Sequence, residues 1–194
     1  MPRKSTRDLI LNVAATLFAN EGFRHTTMET IAAAAGRGRR TVYMYFHDKV
    51  EIYNAVVNNE IALITSALRD VLNTNNSFQE LLIIYAVTRV DAISKLLRRN
   101  PLLTKDFAQS HNRVERLREK LNSEELRLVA PCFREALKNK SYMYYADPAD
   151  LALTFLNMLR GNDRLLTQAD NETKAKELAR LSCDIFVKGL NICD

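Results

Sequence analysis

Residues Arg39, Arg40, Thr41, Tyr43, Met44, Tyr45 and His47 put hydrogen-bond donors, hydroxyls, aromatic rings and a thioether into one short stretch. This set suits the reading of nucleic acid better than bond-making. An arginine fork can take guanine O6 and N7 together, and a methionine or a tyrosine ring can pack on a thymine methyl. Hydroxyls and the nearby Lys49 can hold phosphates. If the stretch is helical with Val42 and Phe46 buried one turn apart, 100° per residue turns Arg40, Met44 and His47 outward. Thr41 and Tyr43 then lie on the flanks and Arg39 in the first turn. Catalytic constellations are missing. His25, His47 and His111 are isolated, and there is no HExxH, GxSxG, glycine-rich phosphate loop or cysteine cluster. Cys132, Cys183 and Cys193, odd in number and without a CxxC pair, read as reduced thiols in a cytosol. No metal, cofactor or enzymatic activity is expected, and the expected location is cytoplasmic.

Such a face needs a scaffold, and the composition describes one. The 194 residues are 47% hydrophobic and 26% charged, inside the globular range and far from disordered chains. Five glycines and four prolines are few against an average usage of roughly 12%, so elements should be few and long. The longest uncharged apolar run, between Glu80 and Arg89, is eight residues where a membrane span needs about 20. Polar Asp8, Asn12 and Thr16 interrupt the apolar stretch from Leu9 to Ala19 at helical spacing, which reads as an amphipathic helix rather than a secretory leader. Residues 1–50 hold eight Lys/Arg and four acids, so nearly all of the net charge of +5 lies in the first quarter of the chain. That asymmetry fits an anion-binding end.

Helical periodicity runs almost throughout and no convincing alternating strand occurs, which predicts an all-α fold. Ser5 should cap a first helix with Leu9, Val13, Leu17 and Phe18 as its stripe, ending at Glu21-Gly22. Thr26 to Glu29 reads as a capping box opening a short helix that Gly36 breaks, with another short helix from Arg39. A long helix should run from Lys49 to the Asn73–Asn76 stop, and Ser77 with Glu80 should open an apolar central helix. Asn100-Pro101 and Asp147-Pro148 mark two further starts. Between them, 113–120 and 123–140 read as two helices, with Pro131 kinking or dividing the second. The last helices are expected from Asp147 to about Gln168 and from Asn171 to Leu190, the latter with Ala175, Leu178, Leu181, Ile185, Phe186 and Leu190 inward.

Two short helices joined by a glycine turn, the second bearing the polar face, are the parts of a helix-turn-helix. Residues Thr27 to Lys49, TMETIAAAAGRGRRTVYMYFHDK, after a first helix ending in LFANEGF, resemble the DNA-binding segment of TetR-family transcriptional regulators. The matching positions are Thr26 and Thr27, Ile31-Ala32, Ala35-Gly36, Thr41, Val42, Tyr43, Phe46 and Lys49. The resemblance covers about the first 50 residues, and three positions depart from the pattern. Arg37 stands where a small aliphatic is usual, and is expected to turn outward towards a phosphate. Gly38 replaces a capping serine. Arg40 replaces a glycine, so two cations head the helix against its dipole. By position, the resemblance implies that Thr27, Thr41, Tyr43 and Lys49 hold the DNA backbone, while Arg39, Arg40, Met44 and Tyr45 face base edges or adjoining phosphates. The helical period sets Tyr45 nearer the buried side. Arg3, Lys4 and Arg7 are available as a short basic arm.

For the remainder, the resemblance implies a DNA-binding domain at 1–50 and a larger helical domain at 51–194 with a ligand pocket and a dimer interface. Pocket candidates are Tyr85, Arg89, His111 and Asn157, with Phe107 and Met158 as apolar walls. The last two long helices are too apolar for one buried side each, so Leu153, Leu156, Leu159, Ile185, Phe186 and Leu190 are expected at a symmetric dimer seam, with Cys183 near it. Tyr142, Tyr144 and Tyr145 cluster before Asp147 as a gate or a packed loop. The function implied is that of a ligand-responsive, homodimeric repressor on a pseudo-palindromic double-stranded DNA operator. The alternative is a helical dimer that binds DNA without sequence preference or answers to a protein partner, with no small-molecule ligand.

Overall fold

In the computed structural model, which describes residues 5–100, 112–138, 147–167 and 171–190, every regular element is helical. Ser5 caps α1 (Thr6–Asn20), its hydroxyl oxygen accepting from the Asp8 amide at 3.1 Å. The buried stripe is Ile10, Leu11, Ala14 and Phe18, rotated from the expected Leu9, Val13 and Leu17, which are only half-buried. The small Ala14 weighs little in a hydrophobic pattern, yet it lies fully inside. Gly22, at φ +82°, stops α1 and begins a short α2 (Gly22–His25) that the periodicity did not reveal.

Next come α3 (Met28–Ala34) and α4 (Arg39–Tyr45). The expected capping box shifts by one residue. Thr26 is fully buried and donates its hydroxyl to Gly22 O at 2.9 Å, so it serves α2. Thr27 is the true N-cap, paired reciprocally with Thr30, which leaves Glu29 free to point elsewhere. Asp48 caps the long α5 (Lys49–Leu72), and Ser77 with Glu80 forms the expected box at the start of α6 (Phe78–Arg99). The start expected at Asn100-Pro101 lies outside the described residues beyond its first position.

The two helices expected at 113–120 and 123–140 are one, α7 (Asn112–Leu137). Ser123 does not break it, because its hydroxyl donates back to Lys120 O at 2.8 Å. Pro131 lies inside the helix without ending it. Pro131 and Arg127 are both exposed, so water can serve the Arg127 carbonyl that the proline leaves unpaired. Asp147 and Pro148 start α8 (Pro148–Arg160) as read, but it stops at Gly161 rather than near Gln168 and passes into a 3-10 turn, Asp163–Thr167. The final helix is α9 (Glu172–Gly189).

Two large hydrophobic cores result among the described residues, beside a small cluster of Ile93 and Leu97. The first joins α1, α3 and α4 to the start of α5 through Ile10, Phe18, Ile31, Val42, Phe46 and Ile52. The second begins at Val57 and Ile61 and gathers α5 to α9 around Leu68, Leu82, Val90, Phe133, Phe155 and Val187. One continuous helix, α5, therefore belongs to both cores, its side chains up to Val56 packing in the first and those from Val57 in the second. On α9 the buried residues are Ala175, Ala179, Cys183 and Val187, spaced by four and mostly small, which lets the helix lie close on α6. Among the described residues, no helix is long and apolar enough to cross a membrane.

Glu172 locks α9 to α6. Its carboxylate accepts from Ser94 Oγ at 2.5 Å, from Arg98, and from Lys176 Nζ at 2.8 Å. The Lys176 hydrogen bond, then those of Ser94 and Arg98, hold this carboxyl at about 2, below its ordinary value of 4.5. Because the folded-state value is depressed, the stabilisation is complete above the unfolded value and fades as pH falls towards the folded one. Glu172→Gln is expected to cost about 1–2 kcal/mol in urea denaturation near neutral pH, allowing for solvent screening, with the gap to wild type closing as pH falls towards about 2. A gap independent of pH would mean that packing, not charge, makes the contribution.

Candidate nucleic-acid interface

Between α3 and α4 the chain turns through Gly36 at φ +59°. The Arg37 amide donates to Ala32 O and the Gly36 amide to Ala33 O, both at 3.0 Å. This is a Schellman closure, and it requires a left-handed residue where Gly36 stands. Gly38 starts α4 with no side-chain cap, as its lack of a hydroxyl dictates. Val42 (0% exposed) and Phe46 (2%) anchor α4 to the first core. Phe46 is the C-cap of α4 rather than part of its last turn. The opposite face is open: Met44 is 77% exposed, Tyr43 42% and Tyr45 43%, and Arg37, Arg39, Arg40 and His47 are exposed. Tyr45 therefore lies no deeper than Tyr43, because α4 ends right after it and no further turn covers the ring.

The two arginines at the head of α4 differ. Arg39 Nη1 pairs with Glu29 Oε1 of α3 at 2.9 Å, and its guanidinium lies 5.4 Å from the Tyr43 ring centroid. Glu29 thus supplies the anion that the helix dipole lacks at this end. Arg40 makes no ion pair among the described residues. Thr27 is exposed beside the start of α3, and Thr41 is half-buried. Arg7 lies 5.2 Å from the Phe46 ring centroid, so α1 also supports the end of α4. Arg3 and Lys4 lie outside the described residues.

A family model described as bacterial regulatory proteins, tetR family, matches residues 10–56, the segment built around the first core. This segment is similar to the DNA-binding part of TetR-family regulators. Over 74 residues it is 31% identical to the HTH-type transcriptional activator FasR of Mycolicibacterium smegmatis, a match covering 38% of this chain and 34% of that relative. The chain thus spans about a third of that relative's length. The whole fold is similar to a transcriptional regulator from Cytophaga hutchinsonii, with a TM-score of 0.72 at 22% identity over 94% of this chain and 96% of that one. It is equally similar to SmeT, the repressor of the Stenotrophomonas maltophilia multidrug efflux pump SmeDEF, with a TM-score of 0.72 at 21% identity over 96% and 90%. SmeT has also been solved as a triclosan complex.

In this fold, Lys49 is the residue whose placement departs most from expectation. Instead of standing out towards phosphate, its ammonium donates to Phe23 O and Thr26 O, both at 2.7 Å, and sits 4.3 Å from the Phe23 ring centroid. It caps the carbonyls at the end of α2 and fastens them to the first turn of α5, so two of its three N–H groups are spent indoors. Lys49→Met is expected to cost about 1–2 kcal/mol of stability. Thermal or urea unfolding of the full chain checks this, and an unchanged midpoint would return Lys49 to the phosphate role.

The pocket candidates separate. Tyr85 and Arg89, one turn apart on α6, meet deep in the second core, 0% and 2% exposed. Arg89 Nε donates to Glu125 Oε1 at 2.6 Å, and its two terminal nitrogens hold Asp163 at 2.6 and 3.0 Å. Tyr85 donates to the same Glu125 oxygen at 3.2 Å. Burial, then the Glu125 charge, pushes Tyr85 well above its ordinary value, so it remains a neutral donor. Burial works against the Arg89 charge, but Glu125 and Asp163 more than offset it. Asn157 is a correction: it faces solvent, and its side-chain oxygen accepts from Arg160 at 2.8 Å. Met158 is half-buried against the second core. Phe107, His111 and the Tyr142, Tyr144 and Tyr145 cluster lie outside the described residues.

Glu125 and Asp163 escaped the sequence reading. Glu125 sits in a charged run that resembles a solvated face, yet Leu117, Leu121, Glu125, Val129 and Phe133 form one row at every fourth position, all buried. A carboxylate in the middle of an apolar row was the available signal.

The expected dimer seam also needs correction. Leu156, Leu159 and Leu190 are 0%, 3% and 5% exposed within the chain's own core, where α8 and α9 meet their neighbours, so they cannot face a partner. Phe186 is half-buried among Phe133 and Phe155. Leu153 and Ile185 remain exposed, joined by Leu181. Cys183 is fully buried beside Leu82 O rather than at a seam, and burial raises its thiol to about 12. Cys132 is half-buried, and Cys193 lies outside the described residues.

Proposed function

We propose that the protein is a homodimeric transcriptional regulator in which each subunit sets α4 into the major groove of one half of a pseudo-palindromic operator. The exposed face of α4, with Arg40, Met44, Tyr43 and Tyr45 free of the core, carries this reading. Arg40 and Met44, one turn apart, take base edges. Arg37, Arg39, Thr27 and Thr41 hold the backbone on either side. Residues 1–50, completed by the first turns of α5, form the reading head, and the rest is the regulatory unit. The dimer forms through α8 and α9, where Leu153, Leu181 and Ile185 leave apolar side chains uncovered. It acts in the cytoplasm on chromosomal DNA and uses no cofactor.

Regulation follows from α5. The helix belongs to both cores, so a ligand that shifts the packing of the second core moves the reading head attached to the first. SmeT, a repressor also solved as a triclosan complex, supports a small-molecule effector for this chain. Repression is therefore the direction proposed here.

The test is selection of genomic fragments by the purified chain near physiological salt, followed by footprinting. A short inverted repeat protected on both halves is the expected result. Enrichment with no shared motif, lost steeply as salt rises, would replace this reading with backbone-only binding.

A further inference from the structure

Glu29 brings a negative charge to the face proposed to meet DNA. The local duty that its spacing suggests, reaching back to close the cap of α3, is performed by Thr30 instead. Other acids of this unit are tied to helix starts: Asp8 accepts from the Ser5 hydroxyl, Asp48 from the Glu51 amide and Glu51 from the His47 amide. Glu29 instead crosses to α4, where its Oε1 meets Arg39 Nη1 at 2.9 Å. The side chains are 53% and 64% exposed, so the pair lies open to water and to any anion in it.

Its surroundings are otherwise cationic. Arg37, Arg39 and Arg40 stand exposed around the turn into α4, and Thr27 is the exposed N-cap of α3. Thr27 and Arg39 are assigned above to the DNA backbone. Glu29 follows the first by two residues and is bonded to the second. A carboxylate and a phosphate both offer a guanidinium paired acceptor oxygens, and they cannot hold the same N–H groups at once. For Arg39 to take a phosphate, Glu29 must let go, and its charge is then left unpaired beside an approaching polyanion. In the free chain this carboxylate offsets the cations at the head of α4, a role that a phosphate takes over on DNA.

We propose that Glu29 is a built-in competitor of the DNA phosphate: it occupies Arg39 in the free chain, is displaced when α4 enters the groove, and so holds down affinity for duplex DNA. This rests on the DNA-binding reading above. The exchange is the same on every sequence, so it lowers affinity without changing the order of sites, which stays with Arg40 and Met44. A reading head weakened in this way leaves chromosomal DNA more readily, and a regulatory shift has less binding to undo.

The test measures the Kd of the full chain by fluorescence anisotropy, at one moderate salt concentration, for the selected inverted repeat and for an unrelated duplex. Thermal unfolding is followed alongside. Glu29→Gln, at an exposed position, is expected to tighten binding to both duplexes by about three- to ten-fold and to leave their ratio unchanged. In an Arg39→Ala background the same substitution should gain less than about two-fold, because the group competed for is absent. Equal gains with and without Arg39 would mean that Glu29 only repels DNA, which overturns the competition. Weaker binding by Glu29→Gln would make Glu29 a positioning residue for Arg39. Unchanged binding with a lowered melting temperature would leave it a partner of the helix dipole, and either result also overturns the proposal. The reading of the protein as a regulator fails separately. A wild type that binds both duplexes alike has no operator, while the Glu29 comparison still stands on either duplex. A chain that binds no duplex loses both.

Discussion

Arg89→Met is expected to cost about 3–5 kcal/mol of stability, measured as the shift in urea or guanidinium unfolding of the full chain. The side chain is 2% exposed, Glu125 is fully buried, and Asp163 is largely covered. Methionine fills much of the volume and removes the charge, which leaves Glu125 in the core with only the Tyr85 hydroxyl and Asp163 facing a void. A domain of ordinary stability, about 5–15 kcal/mol, loses a large share of it. Adding Glu125→Leu should recover about 1–3 kcal/mol, because the uncompensated charge goes with its carboxylate. Recovery, rather than a further loss, is what separates a charge-pairing role from a packing role. A loss under about 1 kcal/mol for the single variant would mean that water replaces the guanidinium and that the centre is wetter than its burial implies.

The same centre marks where reading the chain by itself reaches its end. Helix starts were legible wherever a cap acts on its own neighbours. Ser5, Ser77 and Asp147 each bond an amide two or three residues on, which local spacing encodes. The adjacent threonines Thr26 and Thr27 were not separable in this way, because the choice between them depends on which one α2 buries. The open face of α4 was legible too. Once Val42 and Phe46 are known to be inside, geometry turns the rest outward, and Met44 at 77% exposure follows.

Long-range partners were not legible. Lys49 bonds carbonyls 23 and 26 residues away, and Arg89 bonds carboxylates 36 and 74 residues away. Nothing in the spacing of a cation tells whether its charge will end on a phosphate, a carbonyl or a buried acid. The small residues of α9 misled for a related reason. Ala175, Ala179 and Cys183 have little apolar area, so the larger Leu181 and Ile185 dominate the pattern although they face out. Close helix approach is a property of what is missing from a surface, and hydropathy does not register it.

Arg40→Ala is expected to weaken operator binding by about 1–3 kcal/mol, roughly five- to 150-fold in Kd, and to flatten base preference at one position of each half-site. The reason lies in how differently the two arginines of α4 are held. Arg39 is drawn to Glu29 at 2.9 Å and lies over Tyr43, so it reaches DNA only by exchanging one anion for another and contributes mainly charge. Arg40 makes no ion pair among the described residues and stands one turn from Met44, the most exposed apolar side chain of α4. Its guanidinium can enter the groove without giving up an internal contact, and that groove position is where a fork of donors distinguishes guanine from other bases. Affinities for a set of single-base operator variants at one salt concentration, with the salt slope measured alongside, check the difference. Arg40→Ala should change the ranking of the variants and barely alter the slope. Arg39→Ala should keep the ranking and lower the slope by about one. Uniform weakening by Arg40→Ala would move this residue to the phosphate backbone and leave Met44, Tyr43 and Tyr45 as the side chains that read sequence.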